Sequence, residues 1–376
     1  MYHLTERAMT IAAWVVLGIL LLRSLVVMAN LFTRQWLRKG SPAPEKMPFI
    51  SVLIPARDEE ANIGNLLEQI ASQDYTNYEV IVYDDESKDQ TRTIVHDFTR
   101  KDPRIHLAEQ AGAPPAGWLG KNWACHNLAL QAQGEFFLFL DADVRVTDGF
   151  LRDIMVHSLR RRLHLCSLFP VQVMATPGEK LLVPLMNRIL LTLLPLILTR
   201  ISKRPSLSAA NGQTMLFRAG TYRQHHFHEA VKAYPVEDIR IFRMMKHHNL
   251  RTHTMLSGGQ VSCRMYKGYQ EALNGFSKNV FAFFGGSPVV TILFALTTAF
   301  GWIPVLLSGD LLLLILWSFL SALIITLVSL LSRQSPLQNL LLAVGQQVAF
   351  IHLIFKALKY RIYGGFQWKG REIVRM

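Results

Sequence analysis

Apolar and polar residues are arranged in three textures along this chain. From Met9 to Phe32 the run is almost unbroken, with Arg23 as its one charge. About 20 apolar residues span a bilayer, so the pattern predicts a transmembrane helix within residues 1–40. A signal peptide would be shorter and would end in a small-residue cleavage site, which is not seen here. Arg34, Arg38 and Lys39 follow at once, and the positive-inside rule then puts the next segment in the cytoplasm. Pro42 and Pro44 mark a linker.

From Phe49 the texture changes to short apolar runs separated by helical spacing. Phe49 to Pro55 reads as a buried strand, and Asp58 to Ser72 as a helix with Ile63, Leu66, Leu67 and Ile70 on one face. Glu79 to Tyr83 is a second strand, Asp89 to Arg100 a helix, Asn122 to Gln133 another helix, and Glu135 to Leu140 a further strand. Strands alternating with helices predict an α/β domain with a mostly parallel sheet, over residues 48–280.

The third texture is apolar but interrupted. Leu181 to Thr199 contains Pro184, Arg188 and Pro195, which favours an interfacial helix at 180–200 over a span. Val289 to Leu307 and Leu311 to Leu331 read as two spans. Their connector Ser308-Gly309-Asp310 lacks positive charge and suits the outside, while Arg333 suits the inside. Pro336 to Leu358 is diluted by Gln338, Asn339, Gln346, Gln347 and His352. A full crossing there would put Lys356, Lys359, Arg361, Lys369, Arg371 and Arg375 outside, so a re-entrant or interfacial course is the alternative. Residues 288–360 thus form a membrane-associated region, and 361–376 a cytoplasmic tail.

Composition agrees with a multi-pass protein of the cytoplasmic membrane. Half of the 376 residues are hydrophobic, 18% are charged, and 40 Lys+Arg against 27 Asp+Glu give +13. Disorder is excluded, and a purely soluble globule would carry more charge. A basic, apolar chain suits an anionic leaflet. No nucleic acid is expected as a partner, because the basic residues lie beside apolar segments instead of in one polar stripe. Cys125, Cys166 and Cys263 form no close pair, which excludes a disulfide framework and a cysteine zinc site.

Asp141-Ala142-Asp143 follows an apolar strand and offers two carboxylates two residues apart. Hard oxygen ligands of this kind suit Mg²⁺ or Mn²⁺ and a substrate phosphate; the plainer alternative is a solvated acidic turn. Pro55-Ala56-Arg57-Asp58-Glu59-Glu60 follows the first strand and Asp84-Asp85-Glu86-Ser87-Lys88-Asp89 the second. Taken singly these are helix-start and turn residues. Three acidic clusters after three strands of one sheet, at the edge where open α/β sheets bind ligands, would suit a nucleoside and its diphosphate. Glu237-Asp238 could supply a general base to an acceptor hydroxyl, or be an exposed acidic pair. Lys121, in Trp118-Leu119-Gly120-Lys121, and Trp368-Lys369-Gly370-Arg371 set a cation beside a glycine, fit for phosphate or simply surface charge. His225, His226, His228, His247 and His248 read as surface or loop residues rather than metal ligands.

This ordered set resembles the family 2 glycosyltransferases of GT-A nucleotide-sugar-binding fold. Gly117 to Lys121, Asn211-Gly212-Gln213, Arg264-Met265-Tyr266 and Trp368 to Arg371 resemble its membrane-bound, diaponeurosporenoate-type (carotenoid) branch more narrowly. The resemblance implies inverting transfer from a UDP-sugar, with Mg²⁺ or Mn²⁺, to a lipid acceptor in the membrane. It implies donor binding by Pro55, Ala56, Arg57, Glu59, Asp84, Asp85, Lys121, Asp141, Trp368 and Arg371. Asp141 and Asp143 would hold the metal, Asn211, Gly212 and Gln213 would face the acceptor, and Asp238, with Glu237 as its rival, would be the base. Asp58 stands where the family often has Asn. A processive polysaccharide synthase would carry a Gln/Arg-x-x-Arg-Trp signature, which is absent here. A non-catalytic scaffold of the same fold would not need the acidic clusters.

Overall fold

The computed structural model describes residues 2–40, 42, 44–363, 367–368 and 371–372, with side chains described between Arg7 and Tyr363. The chain divides into two compact units. One comprises Gln35–Val173 and Leu196–Met265, the other Met1–Arg34, Met174–Pro195 and Tyr266–Met376.

In order, the elements of the first unit are β1 (Ile50–Ala56), α2 (Ile63–Ala71), β2 (Tyr78–Asp84), α3 (Thr91–Lys101), β3 (Ile105–Leu107), α4 (Gly120–Gln131), β4 (Phe136–Leu140), β5 (Val144–Val146), α5 (Phe150–Arg161), β6 (Leu165–Phe169) and β7 (Val171–Gln172). After the excursion into the other unit come α7 (Leu198–Ile201), β8 (Thr214–Arg218), α8 (Ala219–His225), α9 (Phe227–Ala230), α10 (Glu237–His247), β9 (Thr252–Leu256) and β10 (Val261–Cys263). A seven-stranded sheet runs in the order β3-β2-β1-β4-β8-β6-β9. The pairs β2–β3, β1–β2 and β1–β4 are parallel, whereas β8 is antiparallel to both its neighbours. Strands covered on both faces read as continuous apolar runs, and all seven residues of β2 and all five of β4 are buried.

The second unit is helical: α1 (Tyr2–Thr33), α6 (Pro177–Leu193), α11 (Tyr269–Asn279), a 3₁₀ turn (Val280–Phe284), α12 (Pro288–Phe300), α13 (Trp302–Leu307), α14 (Leu311–Leu331), α15 (Pro336–Leu341) and α16 (Ala343–Tyr363). Among the described residues two helices, over Arg7–Thr33 and Leu311–Leu331, are long and apolar enough to cross a membrane. Most of their outward residues are apolar, among them Leu22, Leu25, Leu312 and Phe319. The expected span Val289–Leu307 is not one straight helix but breaks into α12 and α13 at Gly301. Pro304 offers no N–H to continue the ladder, and a side chain at Gly301 would meet Thr297 O at 2.4 Å. Instead α12 forms a pair bent by 102° with Tyr269–Phe284, so up to three spans are available. The segment read as interfacial, 180–200, holds most of α6, whose residues are mainly buried, with α1, α11, α14 and α16 around it.

Candidate active site

The carboxyl ends of β2, β1 and β4 lie side by side in the sheet. The two loops that leave β1 and β2 are laced together. Asp85 N–H donates to Ala56 O at 2.8 Å, and Arg57 Nη1 donates to Asp85 O at 2.9 Å. Ser87 Oγ accepts Asp58 N–H at 3.0 Å, Asp58 Oδ1 accepts Lys88 N–H at 2.8 Å, and Thr91 Oγ1 accepts Glu59 N–H at 2.7 Å. Asp58 sits at φ +51, which ends any helix there and explains why α2 begins at Ile63 and not at Asp58. Asp84 is taken up within its own loop: its carboxylate accepts Ser87 N–H at 3.3 Å and lies 3.6 Å from Arg92. Asp85 keeps its carboxylate 3.4 Å from Arg57.

Lys121 enters from the first turn of α4. Its Nζ lies 2.9 Å from Asp141, at the end of β4, and 3.2 Å from Glu237, at the start of α10. Burial alone would lower its pKa, but the Asp141 and Glu237 carboxylates reverse that and hold it well above the ordinary lysine value. Asp238 faces the other way. Its Oδ2 accepts Gly212 N–H at 2.9 Å and its Oδ1 accepts Ile239 N–H at 2.7 Å. Burial first, then the Glu237 charge, raises Asp238 to about 7, against the smaller pull of those N–H groups and Lys121. A side chain at Gly212 would press on the site: a Cβ would lie 3.0 Å from Glu237 Oε1 and 3.3 Å from Lys121 Nζ, so these ends would have to shift. Its neighbours hold the same corner, since Asn211 Oδ1 accepts Gln213 N–H at 2.9 Å and Gln213 O accepts Asp141 N–H at 3.2 Å.

Asp143 is where a cation fits best. Its Oδ1 is buried without a partner. Burial, then the Asp141 and Glu59 charges, raises its pKa to about 6, with a Cys263 hydrogen bond pulling the other way. Burial and the adjacent Asp143 keep the Cys263 thiol protonated, so the donors offered here are hard carboxylate oxygens, suited to Mg²⁺ or Mn²⁺. Among the described residues no set of three metal-binding side chains converges. Two carboxylates, completed by water and a substrate phosphate, are the usual way Mg²⁺ is held.

The structure thus brings together Glu59, Lys121, Asp141, Asp143, Glu237, Asp238 and Asn211 to Gln213. Pro55 and Ala56 end β1 beside the laced loops. The side chains of Trp368 and Arg371 lie outside the described residues. Of the histidines read as surface or loop residues, His228 is corrected: it is buried, with Nδ1 2.7 Å from Tyr222 OH, and burial lowers its pKa to about 3. Three residues not singled out from the sequence support the site. Asn122 Nδ2 donates to Val231 O, Lys232 O and Tyr234 O at 3.0–3.1 Å, clamping the loop that leads to Glu237. Ser167 Oγ accepts Asn211 N–H at 2.8 Å, and Gln213 Nε2 lies 2.8 Å from Cys263 Sγ. Only Asn122 had a sequence signal, a polar residue on the buried side of an apolar helix.

Residues 51–190 match the model of glycosyl transferase family 2. The 4,4'-diaponeurosporenoate glycosyltransferase of Staphylococcus haemolyticus is 26% identical over 234 residues, 61% of this chain and 60% of that protein. The beta-monoglucosyldiacylglycerol synthase of Synechocystis sp. is 30% identical over 145 residues, 38% of this chain and 30% of that one. The chain therefore aligns with three fifths or less of the length of these relatives. Among solved structures, the mannosyltransferase PcManGT from Pyrobaculum calidifontis, in complex with GDP-Man and Mn²⁺, superposes with a TM-score of 0.54 at 17% identity, over 95% of this chain and 99% of that one. At such identity the likeness speaks to fold. Residues 51–190 thus resemble glycosyl transferase family 2, the fold is GT-A, and in sequence the chain is similar to the diaponeurosporenoate glycosyltransferase.

Proposed function

We propose that this protein is a membrane-bound glycosyltransferase that moves a sugar, with inversion, from a UDP-sugar to a lipid acceptor. The observation that carries the reading is the meeting of Lys121, Asp141, Glu237 and Asp238 around Gly212, at the carboxyl edge of a family 2 domain. The names of the relatives, a carotenoid-acid glycosyltransferase and a glycolipid synthase, support a lipid acceptor.

The loops at Pro55 to Glu59 and Asp84-Asp85 take the nucleoside, with Arg57 holding Asp85 in place. Asp141 and Asp143 would hold Mg²⁺ or Mn²⁺, which would supply positive charge to a departing diphosphate. Lys121 adds fixed positive charge at the same floor. Glu237 is committed to Lys121, which leaves Asp238 to take the acceptor's proton. A carboxyl near neutrality suits that work, and such transfer contributes roughly 10²–10⁴-fold. Asn211 to Gln213 form the acceptor side.

The test is detergent-purified protein with UDP-sugars, GDP-sugars, Mn²⁺ and a lipid extract, read by mass spectrometry and anomeric analysis. One sugar on one lipid, lost in Asp143→Ala and Asp238→Ala, is the expected result. A ladder of sugars would point to a polymer synthase. No donor consumed, or variants equal to the parent, would sink the proposal.

A further inference from the structure

In the helical unit two guanidiniums are buried with no acid beside them among the described residues. Arg23 on α1 and Arg188 on α6 each keep 7% of their surface exposed. Each makes one hydrogen bond, to a neutral group: Arg23 Nη2 donates to Thr192 Oγ1 at 3.3 Å, and Arg188 Nη2 to Gln346 Oε1. Arg23 also lies 4.8 Å over the Phe294 ring, and its Nε is buried without a partner. Thr192 follows Arg188 by one turn and donates to Arg188 O at 2.7 Å, so both arginines meet the same face of α6. Gln346 is fixed in turn, donating to Lys180 O and Asn339 Oδ1, both at 2.9 Å.

The described carboxylates of this unit are engaged elsewhere. Glu179 caps α6 with Thr176, Glu271 accepts Lys267 N–H, and Asp310 caps α14. Among the described residues none pairs with Arg23 or Arg188. Two buried like charges held by neutral dipoles are costly, because a dry interior weakens neither their desolvation penalty nor their repulsion. An ionisable residue within a membrane helix, as Arg23 is in α1, points by default to a functional site.

We propose that Arg23 and Arg188 bind the acidic head, phosphate or carboxylate, of one membrane amphiphile. Guanidinium forks match either group in two-point fashion. The apolar outward residues beside Arg23 on α1, Leu22 and Leu25, favour a ligand with a hydrocarbon body over a free anion.

Native mass spectrometry of the full-length protein in neutral detergent tests this, with phosphatidylglycerol, palmitate, phosphatidylcholine and inorganic phosphate as separate probes. Phosphatidylglycerol or palmitate should be retained at least ~10-fold over phosphatidylcholine, a difference of ~1.4 kcal/mol. The double variant Arg23→Gln, Arg188→Gln should fall to the phosphatidylcholine level, while Arg333→Gln, at an exposed position, should not. Equal retention of the three lipids, or unchanged selectivity in the double variant, overturns the proposal. Displacement of the lipid by millimolar phosphate would reassign the pair to a soluble anion and overturn it too. Should the double variant fail to fold, selectivity and displacement on the parent still decide. UDP binding measured on the same samples reports on the sugar site separately.

Discussion

Asp238 accepts two backbone N–H groups and still titrates near neutrality, because burial and Glu237 outweigh them. A base must be ionised to act, so kcat/KM should climb about tenfold per pH unit up to about 7 and level off above it. Asp238→Asn should lose roughly 10²–10⁴-fold in kcat and lose that acid limb; an unchanged profile would clear Asp238 of the role. Gly212→Ala would crowd Glu237 and Lys121, so activity should drop while the melting temperature barely moves. Asp143 should bind cation weakly below pH 6, where it takes up a proton. Mn²⁺ should therefore raise the melting temperature at pH 7.5, less at pH 5.5, and not at all in Asp143→Asn. At this scale the acidic residues and Lys121 were legible because each ends a strand or opens a helix. Ser167 and Cys263 were not, because what they touch lies 44 and 50 residues away in the chain.

The helix α4 does two jobs from one turn: Lys121 reaches into the site while Asn122 clamps the loop before α10. Asn122→Ala strands three carbonyl groups, so about 1–3 kcal/mol of stability should go. Glu237 and Asp238 should also lose their registration, so kcat should fall with little change in nucleotide affinity. Retained kcat would show that the clamp is merely structural. Among elements of the sheet unit, periodicity placed β1, α2, β2, α3, α4 and β4, with α2 differing at its start, where Asp58 turns left-handed; β3, β5 to β10 and the helices after Leu140 were not read, being short or lying in polar, mixed sequence. The break between α12 and α13 escaped a reading by hydropathy, because Gly301 and Pro304 leave the average apolarity almost untouched. The polar residues that diluted Pro336–Leu358 are partly explained by Gln346 and Asn339, which are buried and bonded to one another.

At the scale of the molecule, a sheet unit assembled from two stretches of chain is interrupted by 174–195, which groups with the helices. Hydropathy marked that segment as unusual but could not say where it packs, since Pro184 and Arg188 look equally at home in an interface and in a bundle. The reading by positive charge puts Asp310 outside and Arg333 inside. A membrane-impermeant maleimide on intact cells should label Asp310→Cys and leave Arg333→Cys untouched until the cells are opened; the reverse would invert the topology. That experiment is available because Cys125, Cys166 and Cys263 are all buried. A folded molecule with no cysteine thiol at its surface is a blank background for thiol chemistry. Any fluorophore or spin label attached to one engineered cysteine would report from a single address, without first stripping the natural ones.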